Sequence, residues 1–267
     1  MELGLTGKVA LVTGGSKGIG AAISRNLANE GVKVAFCARE SNEMSKLKTQ
    51  IETDNGICLP IIVDVFNPDD IIKCVKKVVN TFGGLDILIN NVGGAIRQNG
   101  FEDLTDEEWM RAYELNVMSV VRFTRTALPH LRNSILRRII NISSISAIQP
   151  GLYSPHYIVT KAAVVNLTKH LSKILAKEKI LVNVVCPGPV HSEAWNQNIE
   201  SYAIRNNLSL YEATELIEHE EVAKIPIGKV GECHHIASLV TFLASPLSEW
   251  TTGSCFHING GKLSCAL

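Results

Sequence analysis

The chain has 267 residues, and its 26 Lys+Arg balance 26 Asp+Glu. A net charge of zero excludes the basic footprint of a nucleic-acid binder or of a protein held on an anionic membrane. With 46% hydrophobic and 19% charged residues, intrinsic disorder is excluded as well. The length suits one domain of the larger α/β kind. Seven cysteines are an odd number, and none forms a C-x-x-C pair. Most sit in apolar runs such as Val34-Ala35-Phe36-Cys37, where a thiol packs as a small hydrophobe. That usage indicates a reducing compartment. There is no charged-then-apolar leader, and no apolar run approaches the roughly 20 residues of a membrane span. The expectation is a soluble cytoplasmic protein with no membrane and no nucleic-acid partner.

Lys8 to Thr13 is a buried-strand run, after which Ile19, Ile23 and Leu27 mark one face of a helix that ends at Gly31. Lys33 to Cys37 is the next strand, Ser41 to about Asp54 a polar helix, and Ile57 to Val63 a third strand. Pro68 suits a helix start, and Ile71, Ile72, Val75, Val78 and Val79 follow at helical spacing. Leu85 to Asn90 is a fourth strand. Thr105-Asp106-Glu107-Glu108 fits a capping box opening a helix that runs toward Pro129. Arg137 to Ser143 is a fifth strand, Pro155 to Ala176 a long helix, and Leu181 to Cys186 a sixth strand. Residues 193–224 are helical but less regular. Glu232 to Leu243 is a helix and Cys255 to Ile258 a seventh strand. Continuous apolar strands alternating with helices predict an α/β fold: a doubly wound parallel sheet of about seven strands, covered on both faces. With no repeat and no linker, residues 1–267 read as one Rossmann-type domain. Residues 193–224 are the one inserted stretch, a substrate-lid segment.

The first strand runs directly into Thr13-Gly14-Gly15-Ser16-Lys17-Gly18-Ile19-Gly20 and then into a helix. Strand, glycine turn and helix make a dinucleotide site, because the backbone can approach pyrophosphate and the helix start offers unpaired N–H groups. The glycines at 14, 18 and 20 depart from the G-x-G-x-x-G order, and there is no Walker A ending.

Thr13-Gly14-x-x-x-Gly18-x-Gly20 resembles the fingerprint of the classical short-chain dehydrogenase/reductase family. Further family-like motifs follow in the family's order: Asp64-Val65, Asn90-Asn91-Val92-Gly93, Asn116, Ser144, Tyr157-x-x-x-Lys161, Pro187-Gly188-Pro189-Val190-x-Ser192 and Ile258-Asn259-Gly260-Gly261. The resemblance covers nearly the whole chain. Val92 stands where the family commonly has alanine, and Ser192 where it commonly has threonine.

Tyr157 and Lys161 are four apart in a predicted helix and share one face. An ammonium beside a phenol favours the phenolate, which brings a pKa near 10 toward neutral pH. The resemblance implies a catalytic set of Asn116, Ser144, Tyr157 and Lys161. Ser144 would orient a substrate carbonyl, with Ser143 as the structural alternative. Tyr157 would exchange the proton with the alcohol oxygen. Lys161 would lower the Tyr157 pKa and hold the nicotinamide ribose. Asn116 would hold a water linking Lys161 to solvent, whereas its composition-level reading is a buried capping or kink residue. The cofactor would be held by Gly14, Ser16, Lys17, Gly18, Ile19, Gly20, Arg39, Asp64, Val65, Asn91, Gly93, Tyr157, Lys161, Pro187, Gly188, Val190 and Ser192.

NAD enzymes normally place a carboxylate at the end of the second strand. Here Ala38 stands there, Arg39 follows it, and Lys17 adds a cation in the glycine turn. Two cations without that acid suit a 2′-phosphate, so NADP(H) is the expected cofactor. No metal site is expected. Cys233-His234-His235 are adjacent residues in a first helical turn with no partner at metal spacing. His156 precedes Tyr157, and a direct role is disfavoured because neighbouring helical residues point different ways. Arg97, Gln149, Tyr153 and Trp195 are candidates for the pocket wall, and His191 could face substrate. The expected activity interconverts a carbonyl and a secondary alcohol on a small or acyl-linked metabolite, 3-oxoacyl reductase-like or diol dehydrogenase-like. The alternative is a non-catalytic NADP-binding regulator or scaffold, against which the intact catalytic set argues. An enoyl reductase is disfavoured by the tyrosine–lysine spacing. The resemblance implies a homotetramer, with Cys255 to Leu267 as a candidate interface.

Overall fold

Every apolar run read as a strand forms one. The structure, a computed structural model, describes residues 2–39 and 42–265. The strands are β1 (Val9–Thr13), β2 (Lys33–Ala38), β3 (Ile57–Ile62), β4 (Ile87–Asn90), β5 (Arg138–Ile142) and β6 (Leu181–Pro187), then a two-residue pair, β7 (Val190–His191) with β8 (Gly231–Glu232), and finally β9 (Cys255–Ile258). The main sheet has the order β3-β2-β1-β4-β5-β6-β9, and all its pairings are parallel. The β7–β8 pair, two residues long, carries no periodicity that a sequence could show.

Helices α1 (Gly18–Asn29), α2 (Asn42–Thr53), α3 (Pro68–Phe82), α4 (Asp106–Tyr113), α5 (Ser119–Arg132), α6 (Pro155–Leu175), α7 (Glu193–Asn206), α8 (Leu210–Val222) and α9 (Cys233–Ala244) cover the sheet and its C-terminal edge. Alternation along each strand divides the core in two. Ala10, Val12, Val34, Phe36, Ile87, Ile89 and Ile140 face α1, α2 and α9 through Ile23, Leu27, Leu47, Ile51, Ile236 and Val240. Val9, Leu11, Ala35, Cys37, Leu88 and Ile139 face α3 and α5 through Ile71, Val75, Val78, Phe123, Ala127 and Leu131. Each buried Val, Leu, Ile or Phe side chain contributes about 1.5–3 kcal/mol, which is why runs apolar on both faces become interior strands.

Two local expectations change. The helix opened by Thr105 runs without a break to Arg132, but not as a uniform α-helix. Its capping box is present, but α4 passes into a π-helical stretch, Glu114–Met118, before α5 begins. Asn116 sits in that stretch, and π-bulges of this kind occur frequently at functional sites. At the other end, α5 runs through Pro129 to Arg132, because burying Leu131 in the core outweighs the hydrogen bond that proline removes. Residues 193–224 resolve into α7 and α8, joined at Asn207, whose φ of 52° allows the tight turn. The expected start of the second helix at Ser41 lies outside the described residues, as do the last two residues of the tail. Among the described residues, no helix is long and apolar enough to cross a membrane.

Candidate active site

The strand order reverses between β1 and β4, the topological switch point at which open α/β sheets bind ligands. There the carboxyl ends of two neighbouring strands are tied together. The Thr13 hydroxyl accepts from the backbone N–H groups of Asn91 (2.9 Å) and Val92 (3.1 Å), and the Asn91 amide donates to the carbonyls of Thr13 and Gly14, both at 3.0 Å. Gly20 is obligatory in this knot, since a Cβ there would lie 2.2 Å from the Gly14 carbonyl oxygen. Gly14 and Gly18 have φ of 62° and 55°, left-handed values that favour glycine. No side chain caps the start of α1 at Lys17, so its N–H groups are left to an anion. Ser16 is buried, and Ile19 packs on the core beneath. Gly15 donates its N–H to the Cys37 carbonyl (3.1 Å), which sets the turn against the end of β2, where exposed Arg39 follows Ala38. These features fit a dinucleotide.

Lys17 is already engaged: its Nζ is 3.5 Å from Glu193 Oε1 at the start of α7, and both side chains are about half exposed. Such a pair contributes at most about 1 kcal/mol, so a phosphate dianion can displace it. Asp64, exposed after β3, accepts from the Phe66 N–H and shapes the turn, and Val65 packs on the α3 side of the core. Pro187-Gly188 end β6. The Gly188 N–H donates to the Ile258 carbonyl (2.9 Å), and a Cβ on Gly188 would lie 2.7 Å from that of Asn259. Val190 is buried. The Ser192 hydroxyl accepts from the Trp195 N–H (3.3 Å) as the N-cap of α7, so helix capping is the contact it makes here.

Ser144, Tyr157 and Lys161 converge where β5 ends and α6 begins. Ser144 Oγ accepts from the Ser146 N–H (3.1 Å). Ser143, by contrast, donates to the Lys161 carbonyl (2.8 Å), which makes it the strut between β5 and α6. Lys161 is 3% exposed; its ammonium donates to the Ile142 carbonyl (2.9 Å) and lies 5.6 Å from the centre of the Tyr157 ring. Burial pushes the Lys161 pKa down to about 8, with Cys186 acting in the opposite sense. Burial also pushes the Tyr157 phenol above its ordinary value, and the Ser144 hydroxyl pulls it back. In this geometry the Lys161 ammonium is directed to a carbonyl, and desolvation is the largest influence on the Tyr157 phenol.

Asn116 is fully buried. Its Nδ2 donates to the carbonyls of Gly94 and Ala112 (both 3.0 Å), and its Oδ1 accepts from the Gly94 N–H (2.8 Å). It thus fastens the π-bulge to the chain beyond β4, beside Gly93.

The loop after β4 is also anchored to the start of α6. Ser154 donates its N–H to the Asn99 carbonyl (2.9 Å) and its hydroxyl to the Arg97 carbonyl (3.2 Å). His156 Nε2 accepts from the Ile96 N–H (3.3 Å), and the imidazole is fully buried against Trp109. His156 therefore points away from Tyr157 and holds this loop. Among the pocket-wall candidates, Arg97 is engaged by Glu108 (3.4 Å) and the Asp103 carbonyl (2.8 Å), and Gln149 accepts from the Ser264 N–H (2.9 Å). Tyr153 is exposed beneath the Arg205 guanidinium of α7, 4.9 Å from its ring centre. Trp195 is only 8% exposed, in the α7–α8 core with Ile199, Ala203, Ala213 and Ile225. Its ring packs there and against His191, a use that aromatic composition alone does not separate from a pocket wall. Sequence reasoning missed the Gln98–Asn198 hydrogen bond, which ties the β4–α4 loop to α7. It also missed the cluster of Cys186, Cys255 and His257 on neighbouring strands. Neither has a local signal, because their members are 100 and about 70 residues apart.

The family model for short chain dehydrogenases matches residues 8–203, and the chain belongs to that family of oxidoreductases. It is similar to the 3-oxoacyl-(acyl-carrier-protein) reductase FabG of Vibrio cholerae, with 33% identity across 97% of this chain and 98% of that protein. Among solved structures it is similar to the L-sorbose reductase of Gluconobacter frateurii complexed with NADPH and L-sorbose, with a TM-score of 0.92 and 32% identity across 99% and 100% of the two chains. It is also similar to an actinorhodin polyketide ketoreductase variant with NADPH, with a TM-score of 0.89 and 31% identity across 97% and 98%.

Proposed function

We propose that this oxidoreductase uses NADP(H) to interconvert a ketone and a secondary alcohol on a small, polar metabolite. The observation that carries the cofactor choice is the end of β2, where Ala38 replaces an acid and exposed Arg39 follows, next to the glycine turn with Lys17. A bound nicotinamide supplies or accepts the hydride. The chain's residues do the rest. Gly14, Gly18 and Gly20 with the start of α1 would seat the pyrophosphate, and Asn91 and Gly93 in the turn after β4 would complete the cradle. Pro187, Gly188, Val190 and Ser192 line the turn on the far side. Ser144 holds the carbonyl oxygen by hydrogen bond, and Tyr157 delivers the proton to that oxygen on reduction or takes it on oxidation. Lys161 holds the ribose and its charge favours the phenolate. Asn116 is a positioning residue, acting through Gly93 and Gly94.

The likeness to the L-sorbose reductase supports a small polar substrate, and the Gln98–Asn198 hydrogen bond joins the β4–α4 loop to α7. In this reading residues 193–224 close over the site as a lid. The sequence resemblance supports a homotetramer, which analytical ultracentrifugation reads directly.

The test is a steady-state screen of ketoses, simple ketones and 3-oxoacyl thioesters with NADPH and NADH. NADPH is expected to be preferred, with ketoses turned over faster than thioesters. Arg39→Ala is expected to raise the KM for NADPH by about 10–100-fold, the worth of a charged hydrogen bond, and to leave that for NADH unchanged. Equal use of NADH overturns the cofactor assignment, and turnover of thioesters alone overturns the substrate class.

A further inference from the structure

We propose that Cys186, Cys255 and His257 form a binding site for one thiophilic divalent cation, Zn²⁺ in the first instance. The three ligand atoms lie within 4.8 Å of one another. The Cys186 and Cys255 sulfurs are 3.4 Å apart, and Cys255 Sγ is 3.3 Å from His257 Nε2. Tetrahedral zinc with its usual S and N bond lengths needs ligand atoms about 3.5–3.8 Å apart, so the two close pairs need side-chain shifts of a few tenths of an ångström, and the third pair is already within 4.8 Å.

Register explains the convergence. Cys255 pairs with Val184 and His257 with Cys186, so all four residues stand on one face of the β6–β9 ladder. That same register opposes a disulfide. Cys186 and Cys255 are offset by two residues across neighbouring strands, which places their Cα atoms about 8 Å apart from strand spacing and rise. A disulfide rarely spans more than about 7 Å. Two sulfurs and an imidazole nitrogen thus meet at a point their backbones cannot join covalently, which is the arrangement of a Cys₂His metal site with its fourth position open. Two thiolates neutralise the dication and their protons leave to solvent, so the loaded site places no net charge near buried Lys161. Cys186 is fully buried, whereas Cys255 and His257 are half-buried and give the ion its way in. Cys186 immediately precedes Pro187-Gly188, and His257 lies two residues before Asn259, which packs on Gly188. An ion here therefore braces the two strand ends that carry that turn.

The experiment is a titration of the full, chelator-treated, reduced chain with Co²⁺, then Zn²⁺. One equivalent of Co²⁺ is expected to produce sulfur-to-cobalt charge-transfer absorption and the d–d bands of tetrahedral cobalt, both abolished by one equivalent of Zn²⁺. Saturating Zn²⁺ is expected to raise Tm by several degrees. Cys255→Ser and His257→Gln should each weaken binding at least about tenfold, with circular dichroism reporting that both fold, while Cys265→Ser changes nothing. Absence of the charge-transfer band, binding unaltered in both variants, or a Cys186–Cys255 disulfide in the purified protein overturns the proposal.

Discussion

Gly93 is packed so closely against Lys161 that a Cβ on it would lie 2.7 Å from the ammonium nitrogen, and equally close to the Asn116 amide oxygen. The glycine of the motif after β4 is thus set by the room that a buried lysine on α6 needs. Gly93→Ala is expected to leave the fold intact and to lower kcat/KM about 100-fold, since a misplacement near 1 Å of a catalytic group costs about that much. Steady-state kinetics with a circular dichroism control reads this. An unchanged rate would show that Lys161 does not need its present position.

Tyr157→Phe removes the hydroxyl proposed to exchange the proton and leaves the ring. Turnover is expected to fall by about 10²–10⁴-fold, the usual worth of a positioned acid–base group. NADPH binding, followed by nicotinamide fluorescence, should change little. That separation of binding from turnover distinguishes an enzyme from a binding scaffold, which has no turnover to lose.

Lys161 carries the next expectation. Burial lowers its pKa to about 8, so the ammonium is present below that pH and lost above it. If its charge assists Tyr157, kcat/KM for reduction falls on a limb centred near pH 8. Lys161→Arg, which does not titrate in this range, should show a lower rate without that limb. Persistence of the limb in the variant would assign it to another group.

His191 joins α8 to the start of α9, with Nδ1 2.7 Å from Glu232 and Nε2 2.9 Å from Glu218. Burial lowers its pKa, but the two carboxylates outweigh that and the net shift is upward. Trp195 and Cys233, which also contact His191, carry no opposing charge, and His234 and His235 act on Glu232. A raised histidine pKa contributes stability that is complete below the unfolded value near 6.5 and lost as pH rises through the folded value. Hydrogen exchange in residues 210–222, corrected for its intrinsic pH dependence, should therefore accelerate above neutral pH. His191→Gln should flatten that response, and an equal response in the variant would sink the assignment.

Much of the molecule was legible in the chain alone. Seven apolar runs of the right length were seven strands, because a strand buried on both faces has little use for polar residues. The capping box at Thr105, the glycine turn and the Ser144-Tyr157-Lys161 spacing were local patterns with local causes. The helix toward Pro129 forms as expected, but the π-stretch within it at Asn116, whose side chain is bonded to Gly94, a residue 22 positions away, has no local signal. Trp195 and His156 were ambiguous for the same reason: whether an aromatic ring lines a pocket or fills a core depends on what packs over it.

Sequence by itself thus determined the element order, the glycine cradle and the placement of Tyr157 and Lys161 on one helix face, since these depend on periodicity and near-neighbour spacing. Only the tertiary structure decided that Lys17 meets Glu193, that Ser143 is a strut while Ser144 is the group beside Tyr157, and that both Tyr157 and Lys161 are desolvated. It alone brought Cys186, Cys255 and His257 to one point. Each of these is a matter of distance and desolvation between segments far apart along the chain, and neither quantity exists until the strands have paired.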